Sequence, residues 1–243
     1  MKLEMHELTK IYGVQKALSG VTLQLPTCQT IVLLGPSGGG KSTLLRLMAG
    51  LEVPDSGWIA FDGQRLSREE NALREYRKNL GIVFQSWNLF PHMTALENIV
   101  LPLYRVHDMA LDEAQDRSME RLKRFELHKH AHKKPHMLSG GQVQRIALIR
   151  AIAGQPKVLM LDEPTSALDP MMTAEVLELI IELKKEKNEL VIVTHHLMFA
   201  RKAADWVLFI ADGKVLECGV TEQVFERPSS ALVKEYMSKI LAY

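Results

Sequence analysis

The chain has 243 residues, with 30 Lys and Arg against 29 Asp and Glu and a formal net charge of +1. That length suits one large domain or a core with a subdomain, and the charge balance argues against nucleic acid as the main ligand, which calls for a strongly basic face. Cys28 and Cys218 stand alone, which excludes a disulfide framework; no apolar stretch reaches the ~18 residues of a membrane span, so a soluble, cytoplasmic protein is expected, serving any membrane through a partner.

In chain order, the residues up to Phe61 read as short strands with hairpin signals, and Ile59-Ala60-Phe61 runs into a tight turn at Asp62-Gly63. A loop and helix interrupt this part: the apolar run Thr30-Ile31-Val32-Leu33-Leu34, then Gly35 to Thr43, then Leu44-Leu45-Arg46-Leu47-Met48-Ala49. From Phe90 to Gly154 the pattern is helical. Thr94 and Glu97 form one capping box, Ser139 and Gln142 form another, and Gly154 and Pro156 end the second helix. Val158-Leu159-Met160-Leu161 is an unbroken apolar run of the buried parallel type. Asp169 caps the next helix, with Pro170 in its first turn and Val176, Leu179, Ile180 and Leu183 on one face. Leu190 to Val193 is a further buried strand, and Trp206 to Ile210 with Val215 to Cys218 make a hairpin around Asp212-Gly213. Strands alternating with helices predict a mainly parallel α/β sheet. The expected organisation is a single domain over residues 1–243. Residues 1–88 and 156–243 form the core with an antiparallel β subdomain, and 89–155 form a helical insertion too long for an ordinary loop.

Gly35-Pro36-Ser37-Gly38-Gly39-Gly40-Lys41-Ser42-Thr43 fits the phosphate-binding pattern G-x-x-x-x-G-K-[ST] at every fixed position, in the strand–loop–helix context it requires. Glycines let the backbone wrap an anion, and amides at a helix start favour negative charge. Lys41 then reaches β- and γ-phosphates and the Ser42 hydroxyl ligates Mg²⁺, which predicts nucleoside triphosphate binding. The strand ending at Leu161 delivers Asp162 and Glu163 at its carboxyl end, where open α/β sheets bind ligands. Asp162 is expected in the Mg²⁺ shell, and Glu163 as the base that orients and deprotonates an attacking water. Gly140 and Gly141, in the first turn of the helix capped by Ser139, cost about 1 kcal/mol each relative to alanine. Bare amides forming an anion nest give them a purpose.

Leu138-Ser139-Gly140-Gly141-Gln142, followed by Val143-Gln144-Arg145, closely resembles the LSGGQ signature of ABC-type ATPases. Other segments match that family in order. Tyr12 resembles the aromatic that stacks on adenine, and Gln85 in Val83-Phe84-Gln85-Ser86 the loop glutamine that senses Mg²⁺ and the transport partner. Ser166-Ala167-Leu168-Asp169 is similar to the loop that crosses the dimer interface, and His195 to the switch histidine near the γ-phosphate. The resemblance covers nearly the whole chain and implies a P-loop NTPase (RecA-like) core, ATP and Mg²⁺ as ligands, and a head-to-tail homodimer. In that dimer the P-loop, Asp162, Glu163 and His195 of one protomer face Ser139, Gly140, Gly141 and Gln142 of the other, with ATP between them.

With one set of motifs and no sustained heptads, a transporter subunit is favoured over repair or translation members of the family. The segment Phe84 to Thr94 and the tail from Ala211 through Ser229 resemble bacterial polar amino-acid importers of the glutamine and histidine type. That implies permease subunits docking near Gln85 and Ser86 to Met93, an amino-acid-binding protein, and a place on the inner face of the cell membrane. His196 departs from the acidic residue that often follows the switch histidine, and Arg201 to Trp206 also departs in detail. The alternatives are the ATPase of a lipoprotein-release or cell-division complex, and a non-transport signalling ATPase. The run His128, His130, His132 and His136, interleaved with Lys129, Lys133 and Lys134, is expected to be a solvated loop.

Overall fold

The computed structural model describes residues 1–166 and 168–241. Its elements begin with β1 (Leu3–Tyr12), β2 (Gln15–Leu25), β3 (Thr30–Leu34), α1 (Lys41–Met48), β4 (Ser56–Phe61) and β5 (Gln64–Arg65). Then come α2 (Glu70–Lys78), β6 (Leu80–Val83), α3 (Ala95–Arg105), α4 (Leu111–Arg124) and short 3-10 turns at His128–His130 and Pro135–Met137. α5 (Gly140–Ala153), β7 (Val158–Asp162), α6 (Pro170–Lys185), β8 (Glu189–Val193) and α7 (Leu197–Ala203) follow. β9 (Trp206–Ala211), β10 (Lys214–Val220), α8 (Thr221–Glu226) and α9 (Ala231–Leu241) complete the series. The described residues group into two compact units: Met1–Arg77 with the chain from Lys184 onward, and Lys78–Leu183.

The first unit holds an antiparallel sheet in the order β2-β1-β4-β5. The sequence pattern suggests short strands here, yet β1 and β2 run for 10 and 11 residues. Register shifts between Met5 and Leu8, and again before Lys10 and Ile11, break the pairing and hide the strand length from a period-2 reading. Glu7 sits at φ 47 in the bulge. The extra residue changes the parity, so Leu8 rather than Glu7 follows Leu3 and Met5 into the interior. Gly57 on β4 faces this bulge, and a Cβ there would stand 2.3 Å from the His6 carbonyl oxygen and 2.4 Å from that of Glu7.

In the same unit β3 is flanked in parallel by β8 and β9, and β10 closes antiparallel on β9. All five residues of β3 are buried, as in a strand covered on both faces. Asp205 fixes its entry: Oδ2 accepts from the Gln29 and Thr30 amides at 3.0 and 2.9 Å.

In the second unit β6 and β7 pair in parallel, from Leu80 with Val158 to Val83 with Leu161. α3, α4 and α5 pack on one another, and α5 packs against β6. Both expected capping boxes form. The Glu97 amide donates to Thr94 Oγ1 at 3.2 Å and Thr94 N donates to Glu97 Oε2 at 2.7 Å. The Gln142 amide donates to Ser139 Oγ at 3.3 Å and Ser139 N donates to Gln142 Oε1 at 3.1 Å. α5 buries Val143, Ile146, Leu148, Ile149 and Ile152 on several sides, as a helix enclosed by neighbours must. Asp169 Oδ1 accepts from the Met172 amide at 2.9 Å to cap α6, whose Val176, Leu179, Ile180 and Leu183 are buried. This unit therefore includes β6, β7 and most of α6 besides residues 89–155. Among the described residues no helix is long and apolar enough to cross a membrane.

Candidate functional site

β3 delivers the glycine loop and α1 receives it. Gly35 and Gly40 adopt φ 135 and 106. A Cβ on Gly35 would lie 2.0 Å from the Ile210 carbonyl oxygen, and one on Gly40 would lie 2.5 Å from that of Ala17. β9 and β2 thus press on the loop backbone where no side chain fits. The Gly213 amide donates to the Gly39 carbonyl at 3.1 Å, so the β9–β10 turn buttresses the loop as well. A Cβ on Gly38 would meet nothing within 4 Å, which marks the open side.

Lys41 is 4% exposed, and its Nζ donates to the carbonyls of Gly35 and Pro36 at 2.9 and 2.8 Å. The ammonium is held inside the curl of Gly35, Pro36, Ser37, Gly38, Gly39 and Gly40. Ser42 and Thr43 follow in the first turn of α1, which carries no acidic residue. A concave run of amides at a helix start, with a desolvated cation inside it, suits a polyphosphate. The Ser42 hydroxyl is the hard oxygen donor that Mg²⁺ accepts.

Tyr12 ends β1 with its ring 45% exposed and its hydroxyl donating to Glu52. Partial burial, then the hydrogen bond and charge of Glu52, push that hydroxyl up to about 12, with Thr43 and Arg46 of α1 opposing. Tyr12 and the glycine loop are therefore brought together in the first unit. His195 follows β8 and is exposed. Thr194 Oγ1 accepts from the His196 amide at 3.1 Å, which sets His196 at the N-cap of α7.

In the second unit Asp162 closes β7 and is 3% exposed. Glu163 follows at φ 46, and its carbonyl accepts from the Ser166 amide at 3.2 Å. A left-handed glutamate costs about 1–2 kcal/mol. It also ends the strand alternation that would send adjacent carboxylates to opposite faces. Of the loop Ser166-Ala167-Leu168-Asp169, Ala167 lies outside the described residues.

Gln85 is exposed in the turn after β6. Two buried-face residues that the sequence reading missed shape the segment behind it. Arg150 on α5 donates to the carbonyls of Trp87 and Asn88 at 2.9 and 2.7 Å. Asn98 on α3 is fully buried; its Oδ1 accepts from the Phe90 amide at 2.7 Å and its Nδ2 donates to the Thr94 carbonyl at 2.9 Å. Arg150 was detectable as an isolated polar residue within an apolar helical run, whereas Asn98 follows the charged Glu97 and carries no such signal.

Ser139 caps α5, and Gly140 and Gly141 form its first turn. The Gly141 amide donates to Met172 Sδ at 3.3 Å, and a Cβ on Gly141 would stand 2.9 Å from that sulfur. The histidine run corrects one expectation. His128, His132 and His136 are exposed, but His130 is half-buried, with Nε2 3.3 Å from Gln142 Nε2. His130 meets the cap of α5 through Gln142, while the other three histidines face solvent as expected of a solvated loop.

A family model described as ABC transporter matches residues 18–166. The glutamate transport ATP-binding protein GluA of Corynebacterium glutamicum is 45% identical over 99% of this chain and 100% of its own length. The arginine transport ATP-binding protein ArtP of Escherichia coli strain K12 is 39% identical over 98% of this chain and 100% of its own. Among solved structures, the dimeric post-hydrolysis state of the ATP-binding cassette MJ0796 bound to ADP and Pi superposes with a TM-score of 0.81. It is 34% identical and covers 90% of this chain and 98% of that one. In residue pattern, fold and matched length, the chain belongs to the ABC transporter family.

Proposed function

We propose that this chain is the ATP-binding and ATP-hydrolysing subunit of an ABC importer, energising uptake of a polar amino acid through a membrane permease. The observation that carries the ATPase reading is Lys41, buried within a loop that is open to solvent at Ser37 and Gly38. Lys41 and the amides of Gly38, Gly39, Gly40, Ser42 and Thr43 bind the phosphates, and Tyr12 stacks on the base. Glu163 takes the proton of the attacking water, and His195 steadies the γ-phosphate. Ser42, Gln85 and Asp162 would hold Mg²⁺, which when bound supplies charge neutralisation on the phosphates. Ser139, Gly140, Gly141 and Gln142 act on the nucleotide of a second copy, so two protomers close on ATP and part after hydrolysis. Residues 89–155 serve as the helical subdomain in this cycle.

The amino-acid assignment rests on full-length relatives named for glutamate and arginine transport. Their substrates carry opposite side-chain charges, so substrate choice belongs to partner subunits: the permease and, we propose, an amino-acid-binding protein. The chain then works in the cytoplasm, peripheral on the inner face of the membrane. The test is to isolate the protein from native membrane extract with Mg²⁺ and ATP and identify its companions by mass spectrometry. Multi-span permease subunits whose proteoliposomes accumulate a polar amino acid are expected. A lipoprotein-release permease or a division protein would retain the ATPase and overturn amino-acid import.

A further inference from the structure

The turn that presents Gln85 and the helix that begins with Gly140 and Gly141 are tied together within one unit. Trp87 and Asn88, two and three residues past Gln85, sit at φ 60 and 48, left-handed conformations that a bulky residue such as Trp rarely adopts. Within the turn the Trp87 amide donates to the Phe84 carbonyl at 2.9 Å and the Asn88 amide to the Ser86 carbonyl at 2.6 Å; a further hold comes from outside, from α5. Their successive carbonyls both accept from one guanidinium, Nη2 of Arg150 to Trp87 at 2.9 Å and Nη1 to Asn88 at 2.7 Å. The Trp87 ring registers on the same helix at its other end. A Cβ on Gly140 would lie 3.5 Å from Trp87 Cη2, and the indole Nε1 is buried without a partner among the described residues. The turn thus lies over the first residue of α5 through the Trp87 ring and is bonded to its last turn through Arg150.

We propose that Arg150 is a positioning residue for ATP hydrolysis: it locks the Gln85 turn to α5, so that turn and signature glycines keep one relative position. The proposal rests on the ATPase reading above. A rigid helix transmits displacement along its axis, so any shift of the turn reaches Gly140 and Gly141 through Arg150 and the Trp87 ring. Arginine suits this task because its planar fork offers two donors to two adjacent acceptors. A lysine ammonium is a single point that holds one of them well. Burial lowers the Arg150 pKa, yet a guanidinium stays charged there.

The test uses the full chain with Trp58→Phe and Trp206→Phe, which leaves Trp87 as the sole tryptophan. In this background Arg150→Gln is compared with Arg150→Lys for Trp87 emission, acrylamide quenching, ATP affinity and ATPase kinetics. Arg150→Gln is expected to red-shift the emission, at least double the quenching and lower kcat at least tenfold. KM for ATP should stay within twofold, since the Arg150 guanidinium bonds the Trp87 and Asn88 carbonyls, and Arg150→Lys should recover part of both losses. Unchanged Trp87 quenching overturns the clamp, as does a kcat loss matched by an equal loss of ATP affinity. If Arg150→Gln does not fold, the lysine variant carries the same test, with smaller changes of the same sign. A parent chain that binds no ATP would sink the ATPase reading instead, while the quenching comparison would still decide whether Arg150 holds the turn.

Discussion

His130 presents Nε2 to the amide nitrogen of Gln142 across 3.3 Å, and the capping box dictates which Gln142 atom it meets. Gln142 Oε1 accepts from Ser139 N, so the amide turns its N–H₂ toward His130. The imidazole must accept there, which requires the neutral ring with its proton on Nδ1. Burial first, then Lys133, Arg145, His128 and Lys129, lower the His130 pKa below its ordinary value of 6.5. The unfolded chain therefore binds this proton first as pH falls. The neutral ring's contribution is complete above the ordinary value and is lost as pH drops through the lower folded one. Thermal unfolding followed from about pH 7 to about pH 5 should show a steeper loss for wild type than for His130→Gln, which keeps an acceptor without a titration. Parallel curves would remove His130 from the cap.

Gly35 and Gly38 separate steric need from backbone strain. Gly35→Ala drives a Cβ to 2.0 Å from the Ile210 carbonyl and should abolish ATP binding together with much of the folded population. Gly38→Ala faces open space but must hold φ 76, so it should fold with a stability cost of about 1–2 kcal/mol. Denaturant midpoints and nucleotide titration of the two variants give the comparison; equal defects would contradict the geometry.

Lys41→Ala should weaken ATP binding at least tenfold, because the buried ammonium is the cation of the loop. Isothermal titration with ATP checks this, and unchanged affinity would remove Lys41 from phosphate binding. The ammonium also bonds the Gly35 and Pro36 carbonyls, so a fall in melting temperature should accompany the loss.

Thr94→Ala removes the side-chain cap of α3, in the second unit. It should cost about 1 kcal/mol of stability, the usual worth of a Thr N-cap. ATP affinity should stay at the wild-type value. A variant as stable as wild type would mean that Glu97 and Asn98 alone hold the start of α3.

What was legible in the sequence was local. The glycine loop, both capping boxes and the apolar strands β3, β7 and β8 each follow from a few adjacent residues whose chemistry has one good solution. The full length of β1 and β2 is hidden in the sequence because the bulge at Glu7 breaks the period-2 pattern, and Gly57 shows its purpose only against His6 and Glu7. α2 escaped notice because Leu73 is its one buried residue, so no apolar stripe announces it. The candidate residues were found by pattern and resemblance, whereas Arg150 and Asn98 act on backbone carbonyls and amides that no side-chain motif encodes. Glu163 was recognised by its position, but its left-handed backbone appears only in the fold.

Glu163 is the proposed base for ATP hydrolysis by this chain. The direct measurement is steady-state phosphate release by the purified full chain with Mg²⁺ and ATP, for wild type and Glu163→Gln, with the mass of each in solution. Wild-type turnover should rise more than linearly with protein concentration. Glu163→Gln should turn over at least 100-fold more slowly, with ATP still bound and a stable dimer. Near-normal hydrolysis by Glu163→Gln, or none by wild type at any concentration, would contradict that assignment.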